Sequence, residues 1–316
     1  MEISHVVLGS GAIGRAVMQQ LILQGERVRM VNRSGVMDEL PSGVELVKAD
    51  LFDPAAVRAV CRGAAVVYQA AQPVYTKWPE LFPPLQKSIL DGLSGSKSKL
   101  VIADNMYLYG PSGAQPMTES TPANTVTRKG MTRRQMSLDA LDAHRAGRVR
   151  VAIGRGSDYF GPWGRNSAVM GQRTFYPLLT DRPAQLLGDP ELPHTVTYVR
   201  DFGKALVLLG ERDKSDGEVW HVPNDRPTLT QSEMVKMVAR SLGVKAKQYA
   251  NGKMMMVLAG LLLPQAKEMV EMMYQFSLPF VVDSGKFERA FEVRATPMDQ
   301  AIEETIAWYS DHPPLS

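Results

Sequence analysis

The stretch VVLGSGAIGRAV, residues 6–17, contains three glycines, Gly9, Gly11 and Gly14, in the pattern G-x-G-x-x-G. A β-branched run precedes the pattern and a helical pattern follows it, which predicts a turn between a strand and a helix. In such a turn the backbone can approach a pyrophosphate, and the free N–H groups of the first helical turn stabilise its charge. We therefore predict a dinucleotide-binding turn formed by Gly9, Ser10, Gly11, Ala12, Ile13 and Gly14.

On both sides of this turn, β-branched runs alternate with helical patterns through the first half of the chain. The strand-like runs lie at residues 5–9, 27–32, 44–50, 65–71, 99–105 and 148–155. Alternation of this kind is typical of a parallel sheet covered by helices. The sequence thus predicts the α/β class, with a Rossmann-type, doubly wound parallel sheet of six strands.

Beyond Gly156 the alternation weakens, proline and glycine become frequent, and helical patterns dominate. The change predicts a smaller, mostly helical C-terminal substrate lobe over the carboxyl edge of the sheet, where such folds bind ligands. The predicted dinucleotide-binding domain comprises residues 1–155 and about 194–225. The predicted substrate-binding lobe comprises residues 156–193 and 226–316.

Composition excludes several classes of function. The chain has 316 residues, 44% hydrophobic and 22% charged, enough for one large domain or two interlocked ones. Its net charge of +3 comes from 36 basic and 33 acidic residues without a basic block, so we expect a small-molecule substrate and no nucleic acid. One cysteine excludes an intrachain disulfide, and the first residues show no secretory signal pattern, so a cytoplasmic location is expected. No His, Cys or carboxylate spacing suggests a metal site.

The longest apolar stretch, MMMVLAGLLLP, spans residues 254–264 within a predicted helix at 253–275. It is well short of the roughly 20 residues needed to cross a bilayer. We interpret it as a buried or interface helix and expect no membrane partner. Contact with a membrane or with a lipid-like ligand is the alternative.

The end of the second predicted strand distinguishes the two nicotinamide dinucleotides. An acidic residue there binds the ribose 2′-hydroxyl of NAD, whereas a basic residue accommodates the 2′-phosphate of NADP. The chain has Asn32, Arg33 and Ser34 at this point and no carboxylate. Arg33 and Ser34 could hold a phosphate through charge-assisted hydrogen bonds, which favours NADP over NAD. Alternatively, Arg33 is a solvated loop residue.

Together with the glycine turn, several further motifs resemble the extended short-chain dehydrogenase/reductase family, which contains the NAD-dependent epimerases and dehydratases of nucleotide sugars. The motifs are AD at 49–50, AAQP at 70–73, MYLYG at 106–110, GRGSDYFGP at 154–162 and TYVRDFGKAL at 197–206. The resemblance implies that Asp50, Leu51, Ala70, Ala71 and Gln72 lie along the cofactor. It also implies a homodimer as a possible assembly, and a substrate pocket that includes Asp158, Tyr159, Trp163, Arg173 and His194.

The chain departs from this family at the catalytic positions. The family's Tyr-x-x-x-Lys pair falls on Lys129 and Arg133, and its catalytic Ser falls on Asn105. Tyr107 and Tyr109 follow closely, and alternate residues of an extended segment share a face. We predict that Tyr107 exchanges the proton beside Lys129 and Arg133, that Asn105 binds the substrate oxygen, and that Tyr109 packs. A desolvated Lys129 is the alternative proton donor.

Three functions agree with these features. The first is an NADP-dependent oxidoreductase that acts on a carbonyl or alcohol through a non-standard proton-donor site. The second is a nucleotide-sugar epimerase or dehydratase. The third is a non-catalytic NADP-binding sensor, in which the basic residues at 128–134 form a partner surface.

Overall fold

The structure, a computed structural model, describes residues 3–111 and 116–314. Its strands are β1 (His5–Leu8), β2 (Val28–Asn32), β3 (Glu45–Lys48), β4 (Val66–Gln69), β5 (Lys99–Asn105), β6 (Arg150–Gly156), β7 (Asp158–Phe160), β8 (Ala184–Leu187), β9 (Val196–Tyr198), β10 (Val219–His221) and β11 (Gln248–Asn251). Its α-helices are α1 (Ala12–Leu23), α2 (Pro54–Val60), α3 (Trp78–Leu93), α4 (Arg128–Arg145), α5 (Gln172–Leu179), α6 (Val199–Glu211), α7 (Gln231–Leu242), α8 (Lys253–Gly260), α9 (Pro264–Val270), α10 (Gly285–Phe291) and α11 (Met298–Asp311).

The central sheet has seven strands in the order β10-β6-β5-β4-β1-β2-β3. Parallel pairing of β1 with both β2 and β4 sets Leu8 opposite Val31 and Gln69. The predicted doubly wound sheet and its six strands are confirmed, and β10 adds a seventh at the edge beside β6. The strand order reverses between β1 and β4, which is the point where ligands bind in such sheets.

The chain divides into two compact units. Residues up to 108, 128–156 and 202–220 form the first unit, and residues 109–127, 157–201 and 221 onward form the second. These units differ from the division predicted from the sequence, because residues 109–111, 116–127, 194–201 and 221–225 belong to the second unit.

In the first unit, the two faces of the sheet are covered by different helices. Helices α3 and α4 contribute Leu85, Ile89 and Met136 to a buried cluster with the strands. On the opposite face α6 lies so close that a Cβ added to Gly156 would meet the Phe202 ring at 2.4 Å. Cys61 belongs to the core at 3% exposure, and burial raises the pKa of its thiol to about 12.

The second unit contains more helix than strand, as predicted, but it is not smaller than the first unit, because the two units have nearly equal lengths. It contains two small sheets, β7 with β9 and β8 with β11, both parallel. Its core combines α5, α7 and α11 through residues such as Phe175, Val235 and Ile302. The rings of Phe175 and Tyr309 stack with centroids 5.0 Å apart.

The predicted helix at 253–275 is wrong as a single element, because it is broken into α8, α9 and a 3-10 turn at Met273–Phe276. Pro264 is suited to the first position of α9, where its missing N–H costs nothing. The stretch is not buried either, since seven of its large apolar side chains are 46–86% exposed: Met254, Met255, Val257, Leu258, Leu261, Leu262 and Leu263. Within the described residues, the helices are too short or too polar to span a bilayer.

Candidate functional site

The glycine turn has the geometry that its spacing predicts. Gly9 has a φ of 106°, a conformation that side chains disfavour. A Cβ at Gly14 would lie 2.0 Å from the carbonyl oxygen of Gly9, so helix and turn can pack only around a glycine. At Gly11 an added Cβ would meet nothing within 4 Å. A ligand can therefore approach the backbone at Gly11, whereas neighbouring protein atoms fill the space beside Gly9 and Gly14.

Helix α1 begins at this turn with its N–H groups uncapped by side chains. Gly11 is the N-cap residue with φ −73° and ψ −175°, and the first helical turn contains no acidic residue. Free N–H groups and the helix dipole make this end attractive to a phosphate. The residues present thus fit a dinucleotide pyrophosphate at Ser10, Gly11, Ala12 and Ile13.

Two residues beside the turn were missed by sequence reasoning. The Arg15 guanidinium donates to the Ser10 carbonyl at 3.3 Å, which places a cation at the turn. Gln69, at the carboxyl end of β4, is 2% exposed. Neither of its amide atoms has a hydrogen-bond partner among the described residues. Because an unsatisfied buried polar group is costly, Gln69 is suited to a bound ligand or water.

At the end of β2, the side chain of Asn32 forms hydrogen bonds that hold the following loop together. Its amide nitrogen donates to the Ser10 hydroxyl at 3.0 Å, and its amide oxygen accepts from the Gly35 N–H at 2.7 Å. The Ser34 hydroxyl also lies 3.2 Å from that oxygen. Arg33 is exposed, and its guanidinium forms no hydrogen bond or ion pair with the residues that the structure describes.

The ends of β3 and β4 lie at the same carboxyl edge of the sheet. Asp50 is exposed, and its carboxylate accepts from the Phe52 N–H at 3.0 Å, whereas Leu51 turns its side chain into the core. Ala71 adjoins the glycine turn, since its backbone N lies 2.5 Å from a Cβ built on Gly9. Ala70 and Gln72 flank it. The edge therefore presents backbone and small side chains to a ligand.

Replacing Gly11 with alanine is expected to weaken dinucleotide binding at least about tenfold without loss of stability, because the new methyl group fills the space that a pyrophosphate needs. Isothermal calorimetry and thermal unfolding measure the two effects. Gly252→Ala is the matched control, since Gly252 is the N-cap of α8 with nearly the same angles, φ −74° and ψ 172°, and equally open surroundings. Equal dinucleotide affinity for both variants would remove α1 from the cofactor site.

The Trp78 ring contacts both Tyr107, the predicted proton donor, and Arg133, one of the two predicted cations. Trp78, at the start of α3, has its ring centroid 5.9 Å from that of Tyr107. The Arg133 guanidinium lies 4.7 Å from the centroid of the same Trp78 ring and 4.2 Å from that of Phe82. Tyr107 is half-buried, and Arg133 is only 5% exposed.

Lys129 joins this group through a second aromatic ring. Its ammonium lies 4.6 Å from the centroid of the Tyr75 ring, and Tyr75 contacts Trp78 edge-on at 5.0 Å. Lys129 is fully buried in the first turn of α4. A positive charge is unfavourable at a helix N-terminus, and burial adds a desolvation cost. Such placement suits a site that handles negative charge.

Beneath α4, Arg133 belongs to a buried charge cluster that the sequence did not reveal. Its guanidinium lies 3.6 Å from the Asp104 carboxylate, which also accepts from Arg155 at 2.9 Å. Arg155 donates as well to the Ser137 hydroxyl at 2.8 Å. Burial lowers the pKa of Arg133, while Asp104 and Tyr107 act in the opposite direction. A cavity of about 10 Å³, at the lower limit of the space that holds one water, adjoins Asp104, Arg133 and Ser137.

The expected extended segment after β5 is wrong. Residues Tyr107–Tyr109 form a 3-10 turn, and the Asn105 side chain accepts from the Tyr107 N–H at 3.1 Å. Tyr107 and Tyr109 therefore do not share a face. The Tyr109 hydroxyl lies 2.7 Å from His221 Nε2, and His221 Nδ1 lies 2.9 Å from the Asp283 carbonyl oxygen. The carbonyl can only accept, so His221 donates from Nδ1 and Tyr109 donates to Nε2.

The second unit pairs two of the predicted substrate residues. His194 Nε2 lies 2.8 Å from the Asp158 carboxylate, and the imidazole stacks between Phe276 and Phe280 with centroids 4.9 and 4.8 Å apart. Burial holds this pair in one geometry, since His194 is 3% exposed. The chain therefore presents a fixed polar pair in this unit.

The other predicted substrate residues have different surroundings. Tyr159 is half-buried, and burial raises the pKa of its phenol. Trp163 has a φ of 62°, rare for a residue with a side chain, and packs against Trp308 at 6.5 Å. Arg173 is exposed on α5.

Comparison with known proteins agrees with this fold. The family model for the NAD dependent epimerase/dehydratase family matches residues 6–222. No curated protein sequence matches the chain. Among solved structures, dTDP-glucose 4,6-dehydratase from Bacillus anthracis in complex with NAD is similar, with a TM-score of 0.80, 16% identity and coverage of 98% of this chain and 97% of that one. UDP-glucuronic acid 4-epimerase from Bacillus cereus in complex with NAD has a TM-score of 0.75 and 16% identity, over 97% and 98% of the two chains.

The doubly wound sheet and the glycine turn thus define an NAD(P)-dependent enzyme of the extended short-chain dehydrogenase/reductase type. The chain belongs to the NAD dependent epimerase/dehydratase family.

Proposed function

We propose that this enzyme oxidises or reduces a secondary alcohol or carbonyl group of a sugar-like small molecule, with Tyr107 as the residue that exchanges the proton. One observation carries the proposal: the Trp78 ring contacts both the Tyr107 phenol ring and the Arg133 guanidinium. A phenol beside a desolvated cation is the chemical equivalent of the family's Tyr and Lys, built here from different positions.

Charge balance supports Tyr107 as an acid near neutral pH. Lowering a tyrosine pKa from about 10 to about 7 takes roughly 4 kcal/mol, and one nearby cation typically supplies about 1 to 3 pKa units. Arg133 is one such cation, because the Trp78 ring contacts both its guanidinium and the Tyr107 ring. Lys129 is a second buried cation, beside the Tyr75 ring that contacts Trp78.

The protein's own groups then have separate roles. When bound, the nicotinamide supplies or accepts the hydride. Tyr107 holds or releases the proton at the substrate oxygen, Arg133 stabilises the phenolate form, and Lys129 adds a buried positive charge in the first turn of α4. Asn105 fixes the start of the turn that carries Tyr107, through its bond to the Tyr107 N–H.

Family membership and the second unit support a sugar-like substrate. Similar structures are described as dehydratases and epimerases of nucleotide sugars. The Asp158 and His194 pair offers the polar groups that bind hydroxyls, and Tyr159 and Trp163 offer aromatic surface. A sensor is less well supported, because Lys129 and Arg133 are buried and so do not form the partner surface that a sensor would need.

We also propose that NADP is preferred over NAD, although the similar structures contain NAD. The support is the end of β2, where no carboxylate is present and Arg33 is exposed and unoccupied among the described residues. Arg15 adds a second cation beside Ser10.

Replacing Arg33 with alanine is expected to weaken NADPH binding by about tenfold or more and NADH binding little, because only NADPH has a 2′-phosphate for the guanidinium. Fluorescence titration with each dinucleotide measures both affinities. Arg62→Ala is the matched control, since Arg62 is also exposed but precedes β4 and so lies at the opposite edge of the sheet. Equal losses for NADPH and NADH would overturn the preference for NADP.

The proposed function is tested by titrating the purified protein with NADPH and NADH and then screening nucleotide sugars and simple carbonyl compounds with the preferred dinucleotide. Net consumption of the reduced dinucleotide identifies a reductase. A changed sugar with no net consumption identifies an epimerase or dehydratase. Tight dinucleotide binding with no turnover of any compound in these classes counts against the proposal and favours the sensor.

A further inference from the structure

The segment between residues 254 and 263, here called the apolar tip, is an exposed apolar surface in the second unit. Leu261, Leu262 and Met254 are 79%, 86% and 80% exposed. Single exposed leucines are common on soluble proteins, but contiguous apolar patches mark interaction sites. The tip is also anchored, because Met256 is buried and packs with Ala266, Met273 and Phe276. An exposed apolar segment that is anchored by buried residues in this way is typical of a contact surface.

The charges within the segment that carries the apolar tip have one sign. Between residues 240 and 267 the chain contains five basic residues and no acidic one, and the first carboxylate after the tip is Glu268. Lys253 begins α8, and the Lys267 backbone lies 2.9 Å from a Cβ built on Gly260, so both lysines flank the tip. Among the described residues, neither lysine forms an ion pair, and both are exposed.

Other groups near the tip complete this pattern. Lys245 is exposed, Lys247 pairs with Asp181 at 2.8 Å, and Tyr249 on β11 is 50% exposed. An apolar end, exposed lysines on its two flanks and a nearby tyrosine are the features that proteins use at the surface of a bilayer.

The positive charge of Lys253 and Lys267 also distinguishes between two possible partners of the tip, a second copy of the chain and a lipid surface. If a second copy covered it, a twofold axis would bring Lys253 and Lys267 of both copies together, and like charges would oppose the contact. An anionic lipid surface instead attracts those lysines and accepts the apolar side chains without a shaped groove. We propose that the apolar tip binds the surface of an anionic membrane by insertion into one leaflet. This contact does not require a helix that crosses the bilayer, and it differs from the expectation of no membrane partner.

Sedimentation with vesicles tests this proposal on the full chain. The vesicles contain either phosphatidylcholine alone or phosphatidylcholine with phosphatidylglycerol in a ratio of about 7 to 3. The protein is expected to bind the anionic vesicles at least about tenfold more tightly than the neutral ones, with affinity that falls as salt is added. The double variant Leu261→Asp, Leu262→Asp is expected to lose this binding at least about tenfold, because charge on the tip opposes insertion.

A matched control separates the tip from exposed leucines in general. Leu23, at the end of α1, is 77% exposed, so Leu23→Asp makes the same change on the first unit and is expected to leave vesicle binding unchanged. Dinucleotide titration confirms that each variant is folded, and it does so whether or not a substrate is found. Failure of the unmodified protein to bind anionic vesicles, or equal affinity for neutral ones, overturns the proposal. So does a dimer in light scattering that the double variant dissociates, since it assigns the tip to a second copy.

Discussion

Replacing Tyr107 with phenylalanine is expected to lower turnover by about 10²- to 10⁴-fold, the usual contribution of a positioned proton donor. Phenylalanine keeps the ring that packs against Trp78 but removes the hydroxyl. Dinucleotide affinity should therefore remain close to that of the unmodified enzyme. Steady-state kinetics and fluorescence titration on the same preparation measure the two quantities.

Tyr109→Phe is the control for this prediction, because Tyr109 belongs to the same 3-10 turn but donates to His221. It is expected to cost about 1 to 2 kcal/mol of unfolding free energy and to leave the turnover of folded enzyme nearly unchanged. Unaltered turnover in Tyr107→Phe would exclude Tyr107 from the mechanism and leave the buried Lys129 as the proton donor. Equal losses of turnover in both variants would indicate a structural role for the turn.

The second large effect is expected at Asp104. Asp104→Asn should lower the free energy of unfolding by about 3 to 5 kcal/mol, because it leaves the buried Arg133 and Arg155 guanidinium groups without a counter-charge. Asp104 is 6% exposed, Arg133 is 5% exposed and Arg155 is 3% exposed, so bulk water barely reaches the position of the lost carboxylate. Urea unfolding followed by circular dichroism measures the change.

A surface carboxylate provides the comparison. Asp91 pairs with Lys87 at 2.5 Å and with Arg148 at 3.7 Å, but it is 33% exposed. Asp91→Asn is expected to cost about 0 to 1 kcal/mol. The double replacement Asp104→Leu, Arg155→Met should recover part of the loss, since it removes one of the two unpaired cations. A cost for Asp104→Asn no larger than that for Asp91→Asn would contradict the buried charge cluster.

The cofactor turn could be predicted from the sequence because its physics is local. Gly9, Gly11 and Gly14 lie within six residues, and the roles inferred for Gly9 and Gly14 follow from backbone sterics alone. The six strands were likewise visible as β-branched runs. The roles of Arg33 and the catalytic residues remain predictions, which the variants above test.

The rest depended on contacts between distant residues. Arg155 and Asp104 are 51 positions apart, and the motif that contains Arg155 gave no sign of its partner. His194 and Asp158 were both predicted to contact substrate, but their hydrogen bond spans 36 positions and could not be inferred. The turn at Tyr107 was missed because the strand-like pattern of β5 continues into it. Only side-chain contacts show where the strand ends.

The single cysteine has a practical consequence. Cys61 lies in the core, and burial raises the pKa of its thiol to about 12, so the thiol stays protonated at neutral pH. Maleimide dyes react with an accessible thiolate, so we expect them not to label the native chain. A cysteine introduced at any exposed position can therefore carry a fluorophore or spin label as the one reactive thiol, with no native residue removed.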